Sequence, residues 1–219
     1  MTTDRALVLD FGGVISKTLF ETHAESEQAL GLPAGSLTWM GPFDPEHDAL
    51  WRSMQDDEIS EREYWLQRTR EVGEMIGQRW DHMSQLLQAT RVQTIDTLIR
   101  PEVRALVSNA KQLGVKLAVL SNELDLFYGA GFAESCRFLD DFDLILDATY
   151  TKVLKPDPVA YQHCAEALNL APARCVFVDD QIRNVRGAID AGMQAVHLDV
   201  KNPAVGFERA AEILKGESS

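Results

Sequence analysis

Five short apolar runs, divided by helical stretches, restrict the fold more than any other feature of the chain. They are "RALVLDF", "VKLAVLSNE", "FDLILDA", "RCVFVDD" and "MQAVHLD". Each is rich in Val, Leu or Ile and too short for a typical helix. Continuous apolar character means burial on both faces, as in a parallel sheet covered by helices. The runs place strands on the first of them and over 115–120, 144–146, 176–178 and 195–198. Helical patterns lie between. "PEVRALVSNAKQLG" has Pro101 in its first turn and stops at Gly114, the usual proline-in, glycine-out asymmetry. "DPVAYQHCAEALNL" and "RNVRGAIDAGM" follow the same logic, the latter ending at Gly192. Alternating strand and helix predicts an α/β fold with a doubly wound parallel sheet.

Between the first strand and Pro101 the period changes. "SEREYWLQRTREVGEMIG" opens on a capping box, Ser60 with Glu63, and "DPEHDALWRSMQ" and "WDHMSQLLQAT" are amphipathic at helical spacing. An all-helical insert over about residues 16–95 follows, leaving residues 1–15 and 96–219 as the core. A chain of 219 residues accommodates both. Trp39, Phe43, Trp51, Trp65 and Trp80 are expected to form the aromatic core of the insert. "LTWMGPFDP" reads as a loop of it. His23, His47 and His82 are expected at the surface, and the acidic run around Asp56 as a solvated connection.

Charge limits the partners. The formal net charge of −13 argues against a nucleic-acid partner, because phosphate-backbone binding needs a basic surface. A small phosphorylated ligand remains open, since one cation and one lysine reverse the sign locally. No apolar run approaches the roughly 20 residues of a membrane span. "MTTDRALVLDFGG" lacks the basic and long apolar regions of a secretory signal. Cys136, Cys164 and Cys175 form no metal spacing and no even framework. They are expected to be inert core residues of a protein in a reducing cytoplasm. Nothing in the sequence decides between monomer and homodimer.

In open parallel sheets ligands bind beyond the carboxyl ends of the strands. Asp10 ends the first strand, Ser121 and Asn122 the second, and Asp179 and Asp180 the fourth. Lys155, in "KVLKPDP", follows the third. Carboxylates from separate strand ends suit a hard cation such as Mg²⁺. A carboxylate can attack phosphorus while a lysine and a hydroxyl hold the equatorial oxygens. This makes Asp10 the expected nucleophile and Ser121 and Lys155 the expected phosphate holders. Asp180, with Asp179 beside it, is the expected metal anchor. Gly12 and Gly13 let the backbone approach both.

These segments, in this order, resemble the haloacid dehalogenase superfamily of hydrolases. "LVLDFGGVI" is similar to its first motif, "VLSN" to the second, Lys155 in "KPDP" to the third and "VFVDDQIRNV" to the fourth. The resemblance implies a Rossmann-like core with a helical cap inserted after the first motif. It implies an aspartyl-phosphate intermediate on Asp10 and Mg²⁺ held by Asp10, the Gly12 carbonyl and Asp180, with Asn184 in support. Phe11, Gly12, Ser121, Asn122 and Lys155 are the expected substrate-binding residues. The expected function is hydrolysis of a small phosphorylated metabolite.

One departure stands out. Phosphatases of the superfamily usually carry, two positions after the nucleophile, a second aspartate that protonates the leaving group. Here that position is Gly12. A backbone carbonyl there still serves a metal, but acid help worth roughly 10²–10⁴-fold is missing. The alternative function is therefore a non-catalytic or regulatory phospholigand-binding protein on the same scaffold, and haloacid dehalogenation is a minor one. Phosphonoacetaldehyde hydrolases also lack the second acid but need a cap lysine, and no lysine occurs between Lys17 and Lys111. Response-regulator receivers share the residue types in another order on a shorter chain.

Overall fold

The three central strands of the core are buried almost without interruption, as their composition requires: β1, Ala6–Leu9, has no exposed residue. A computed structural model describes residues 4–90 and 95–216. The remaining strands are β2 (Lys116–Ser121), β3 (Leu144–Asp147), β4 (Cys175–Asp179) and β5 (Gln194–His197). All pairings are parallel, and the spatial order is β3-β2-β1-β4-β5. The chain winds outward from β1 to β3, then crosses to β4 on the other side of β1. The crevice beyond β1 and β4 is thus the topological switch point of the sheet.

Four helices belong to the helical insert: α1 (His23–Leu30), α2 (Ala49–Gln55), α3 (Glu61–Met75) and α4 (Met83–Thr90). The core's longer helices among the described residues are α5 (Pro101–Gln112), α6 (Pro158–Ala167), α7 (Ile182–Asp190) and α8 (Pro203–Lys215). Three of these four, α5, α6 and α8, start with proline in the first turn. One face of the sheet, with Ala6, Val8, Ala118, Leu120, Cys175 and Phe177, packs on Tyr161, Cys164 and Ala165 of α6 and Ala188 of α7. These strand residues recur at a period of two. The intervening Leu7, Leu9, Leu117, Val119, Val176 and Val178 are equally buried, so both faces of the sheet are covered.

The chain divides into two compact units. The core unit comprises Met1–Lys17, Ile95–Asp125 and Gly131–Ser219. The helical unit comprises Thr18–Thr94 together with Leu126–Ala130, a short segment that the sequence reading leaves in the core. The physical reason is aromatic: Phe127 meets Trp65 edge-on, with ring centroids 5.3 Å apart. Phe20 anchors the helical unit, with the rings of Trp39, Trp51 and Trp65 at 5.4–5.5 Å. Gly41, at φ +48°, is glycine because a Cβ there would lie 2.3 Å from the Phe20 ring. Asp48 is buried and accepts from the Gly41 and Trp51 N–H groups, the Tyr64 hydroxyl and the Arg68 guanidinium.

Trp39, Trp51 and Trp80 are buried, and Phe43 and Trp65 pack partly buried against them. His47 and His82 are exposed, but His23 is half-buried. It packs on Trp39 at 4.4 Å, and burial pulls its pKa below the ordinary histidine value. The connection Asp56, Asp57 and Glu58 is exposed. All three cysteines are free and buried. Burial pushes the Cys164 thiol up to about 12 and Cys175 to about 11, so neither forms a reactive thiolate near neutral pH. Among the described residues, no helix is long and apolar enough to cross a membrane.

Candidate active site

Strand register brings the acids together. Leu9 pairs with Val178 of β4, so Asp10 and Asp179 leave the sheet side by side. Leu9 also pairs with Val119 of β2, which carries Ser121 to the same rim. After Asp10 the backbone makes a wide turn, Phe11–Ile15, closed by the Ser16 N–H on the Phe11 carbonyl at 2.9 Å. The two glycines of this turn are not equivalent. Gly13 has φ +78°, and a Cβ on it would lie 2.6 Å from Oδ2 of Asp180. Gly12 has φ −69° and ψ 127°, which any residue adopts, and its Cβ position meets nothing within 4 Å. It is also exposed. The turn therefore demands glycine at 13 and only tolerates it at 12.

Lys155 lies at the centre of the constellation. Its Nζ donates to Oδ1 of Asp10 at 2.8 Å and to Oδ2 of Asp179 at 2.7 Å, with the lysine side chain 1% exposed. Phe177 of β4 passes beneath it, the ammonium 5.3 Å from the ring centroid. Burial alone would lower the pKa of this lysine, but the carboxylates of Asp10 and Asp179 outweigh it and hold the ammonium well above the ordinary range. The group stays charged at any working pH.

The adjacent acids Asp179 and Asp180 have different surroundings. Asp179 is fully buried. Besides Lys155, it accepts from the Gln181 N–H at 2.8 Å and from Asn184 Nδ2 at 3.1 Å on each oxygen. Asp180 is partly exposed and its carboxylate lies against the Gly13 backbone. Oxygens of Asp10, Asp179 and Asp180 come within 4.8 Å of one another. A hard divalent cation fits this set: the donors are carboxylate oxygens, and the acids outnumber the lysine. Oδ1 of Asn184 is buried without a donor, an acceptor that a hydrated cation would satisfy.

Ser121 ends β2 and is 7% exposed. Asn122, expected among the substrate-binding residues, places its amide on the peptide groups of Lys155: Oδ1 accepts from the Lys155 N–H at 2.7 Å and Nδ2 donates to the Lys155 carbonyl at 3.0 Å. Phe11 is buried and meets Phe132 edge-on at 5.2 Å.

Two residues absent from the sequence reading support the rim. Asp147 closes β3 and accepts from the N–H groups of Leu124 and Asp125, holding the loop that follows Ser121. The signal was present, since "LILD" ends like "LVLD" and "VFVD". Arg100 is buried and its Nε donates to the Gly13 carbonyl at 3.1 Å. A lone arginine before a proline gives no such signal.

Known proteins are similar to this chain in sequence and in fold. Over 204 residues the chain is 25% identical to YhcW of Bacillus subtilis (strain 168), which bears a provisional phosphatase name; the match spans 88% of this chain and 82% of YhcW. Over 99 residues it is 35% identical to phosphatase MT3486 of Mycobacterium tuberculosis (strain CDC 1551 / Oshkosh), about half of either chain. In three dimensions it is similar to the L-2-haloacid dehalogenase RSc1362, with a TM-score of 0.65 over 98% of this chain and 100% of that one at 17% identity. The HAD-type hydrolase YfnB of Bacillus subtilis, also provisionally named, gives 0.67 over 96% and 98%, again at 17% identity. Those two show a shared fold. The family model for haloacid dehalogenase-like hydrolases matches residues 5–192, and the chain belongs to that family.

Proposed function

We propose that this hydrolase is a Mg²⁺-dependent phosphatase of a small phosphorylated metabolite, working without a side-chain acid at position 12. The observation that carries the reading is the Lys155 ammonium shared between Asp10 and Asp179 at the switch point, with Asp180 in reach. Asp10 attacks phosphorus, and the leaving-group oxygen departs with the bonding electrons. Water then attacks the phosphorus of the aspartyl phosphate, releasing phosphate and restoring the Asp10 carboxylate. Lys155 pairs with Asp10 and offers positive charge to the phosphoryl oxygens, and the Ser121 hydroxyl donates to another of them. Asp10, Asp180 and the Gly12 carbonyl would hold Mg²⁺, which when bound neutralises charge on the phosphoryl group. Asn184 and Lys155 hold Asp179 in place, so Asp179 orients the lysine.

The test is turnover of 4-nitrophenyl phosphate with Mg²⁺, with EDTA, and by Asp10→Asn. Activity that requires both the metal and Asp10 is expected. Tight binding of inorganic phosphate without turnover of any phosphate ester would instead make the chain a phospholigand-binding protein. The vacancy at Gly12 is the feature that favours that second reading.

A further inference from the structure

Asn122 and Lys155 lie 33 positions apart, yet the side-chain amide of one takes both backbone hydrogen-bonding groups of the other. This is the double exchange by which opposed residues of an antiparallel ladder pair, made here by a side chain. Beyond the backbone, the Lys155 side chain runs buried over Phe177 to the two carboxylates. The lysine is thus held at both ends, by Asn122 at the peptide and by Asp10 and Asp179 at the ammonium. A side chain with four rotatable bonds has large conformational freedom. Fixing its origin is the economical way to fix its tip. We propose that Asn122 is a positioning residue, acting on the reaction through Lys155 rather than by contact with substrate. Its catalytic consequence rests on the phosphatase reading above; its effect on Lys155 does not.

Two measurements test this separately. The first is lysine acetylation of the native protein by acetic anhydride, read residue by residue by mass spectrometry. In the unaltered protein Lys155 should be among the least reactive lysines. Asn122→Ala should raise labelling at Lys155 about tenfold, with the exposed Lys152 and Lys201 unchanged as references. Asn122→Asp keeps the acceptor for the Lys155 N–H but sets a carboxylate against its carbonyl. It should give an intermediate rise, and it serves if the alanine variant folds poorly. The second measurement is a double-mutant cycle on kcat/KM for 4-nitrophenyl phosphate. Asn122→Ala alone should lower it about 10- to 100-fold, and should cost nothing further in a Lys155→Ala background. Unchanged labelling at Lys155, or a rise spread over all lysines, overturns the positioning role. Multiplicative losses in the cycle overturn it too and make Asn122 a direct substrate contact. Absence of turnover in every variant would refute the phosphatase reading while the labelling result stood on its own.

Discussion

Gly12→Asp is the most informative single change. Its structural cost is small: φ −69° and ψ 127° suit an L residue, and no heavy atom lies within 4 Å of the new Cβ. Replacing a glycine in such a conformation removes unfolded-state entropy, and Gly12→Ala should stabilise the protein by about 0.4–1 kcal/mol. The aspartate adds a carboxyl group two positions from Asp10, at the rim where Asp179 and Asp180 also gather. Their like charge raises its pKa, which favours the protonated form that an acid catalyst requires. Proton donation to a poor leaving group is worth roughly 10²–10⁴-fold, or about 3–5 kcal/mol of barrier.

The assay is a plot of log kcat/KM against leaving-group pKa, from 4-nitrophenyl through phenyl to simple alkyl phosphates. The native enzyme should fall steeply along this series, because its leaving groups depart unprotonated. Gly12→Asp should flatten the line, gaining most on alkyl phosphates and least on 4-nitrophenyl phosphate, while Gly12→Ala should leave the slope unchanged. A shallow native slope that Gly12→Asp does not alter would refute the reasoning and show that another group already donates the proton.

The remaining expectations concern neighbouring residues. Gly13→Ala should destabilise by about 1–2 kcal/mol or more in urea unfolding followed by circular dichroism, because φ +78° strains an L residue and the Cβ would strike Asp180; equal stability of the alanine variants at 12 and 13 would sink that contrast. Asp180→Ala should abolish Mg²⁺-dependent turnover with little change in stability. Asp179→Ala removes one of the two carboxylates on the buried Lys155 and the acceptor of Asn184 Nδ2, and should cost about 1–3 kcal/mol of folding free energy, so thermal melts beside metal titrations distinguish the two. Burial lowers the His23 pKa from 6.5, so the unfolded chain binds that proton more readily. Stability of the helical unit should therefore fall as pH drops below about 6.5, down to the lowered folded value. Tryptophan fluorescence reports on that unit alone, since Trp39, Trp51, Trp65 and Trp80 all lie in it, and His23→Gln should remove the slope.

What the sequence made legible follows from local physics. Five apolar runs announced five strands, because burial on both faces leaves no room for alternation. Pro101 and Gly114 bracketed a helix that runs Pro101–Gln112. The acids at the strand ends and their meeting on one rim were legible, but the register of that meeting was not. It depends on the pairing of Leu9 with both Val119 and Val178, a fact about register that no single strand contains. Leu126–Ala130 was misread for the same reason, since what assigns it is the contact of Phe127 with a tryptophan far earlier in the chain.

The glycines show most clearly where reading a motif falls short. In "DFGGV" the two look interchangeable, and flexibility seems to explain both. Only backbone angles separate them: one occupies the left-handed region against a carboxylate, the other an extended conformation open to solvent. The backbone does not require glycine at 12, so what sets this position apart is its missing side chain. At Gly12 that absence leaves no acid and opens space beside Asp10, the proposed nucleophile. A chemistry that starts from a good leaving group requires the space and not the acid. This is why the leaving-group series, rather than a survey of substrates of similar reactivity, is the measurement that decides what the vacancy is for.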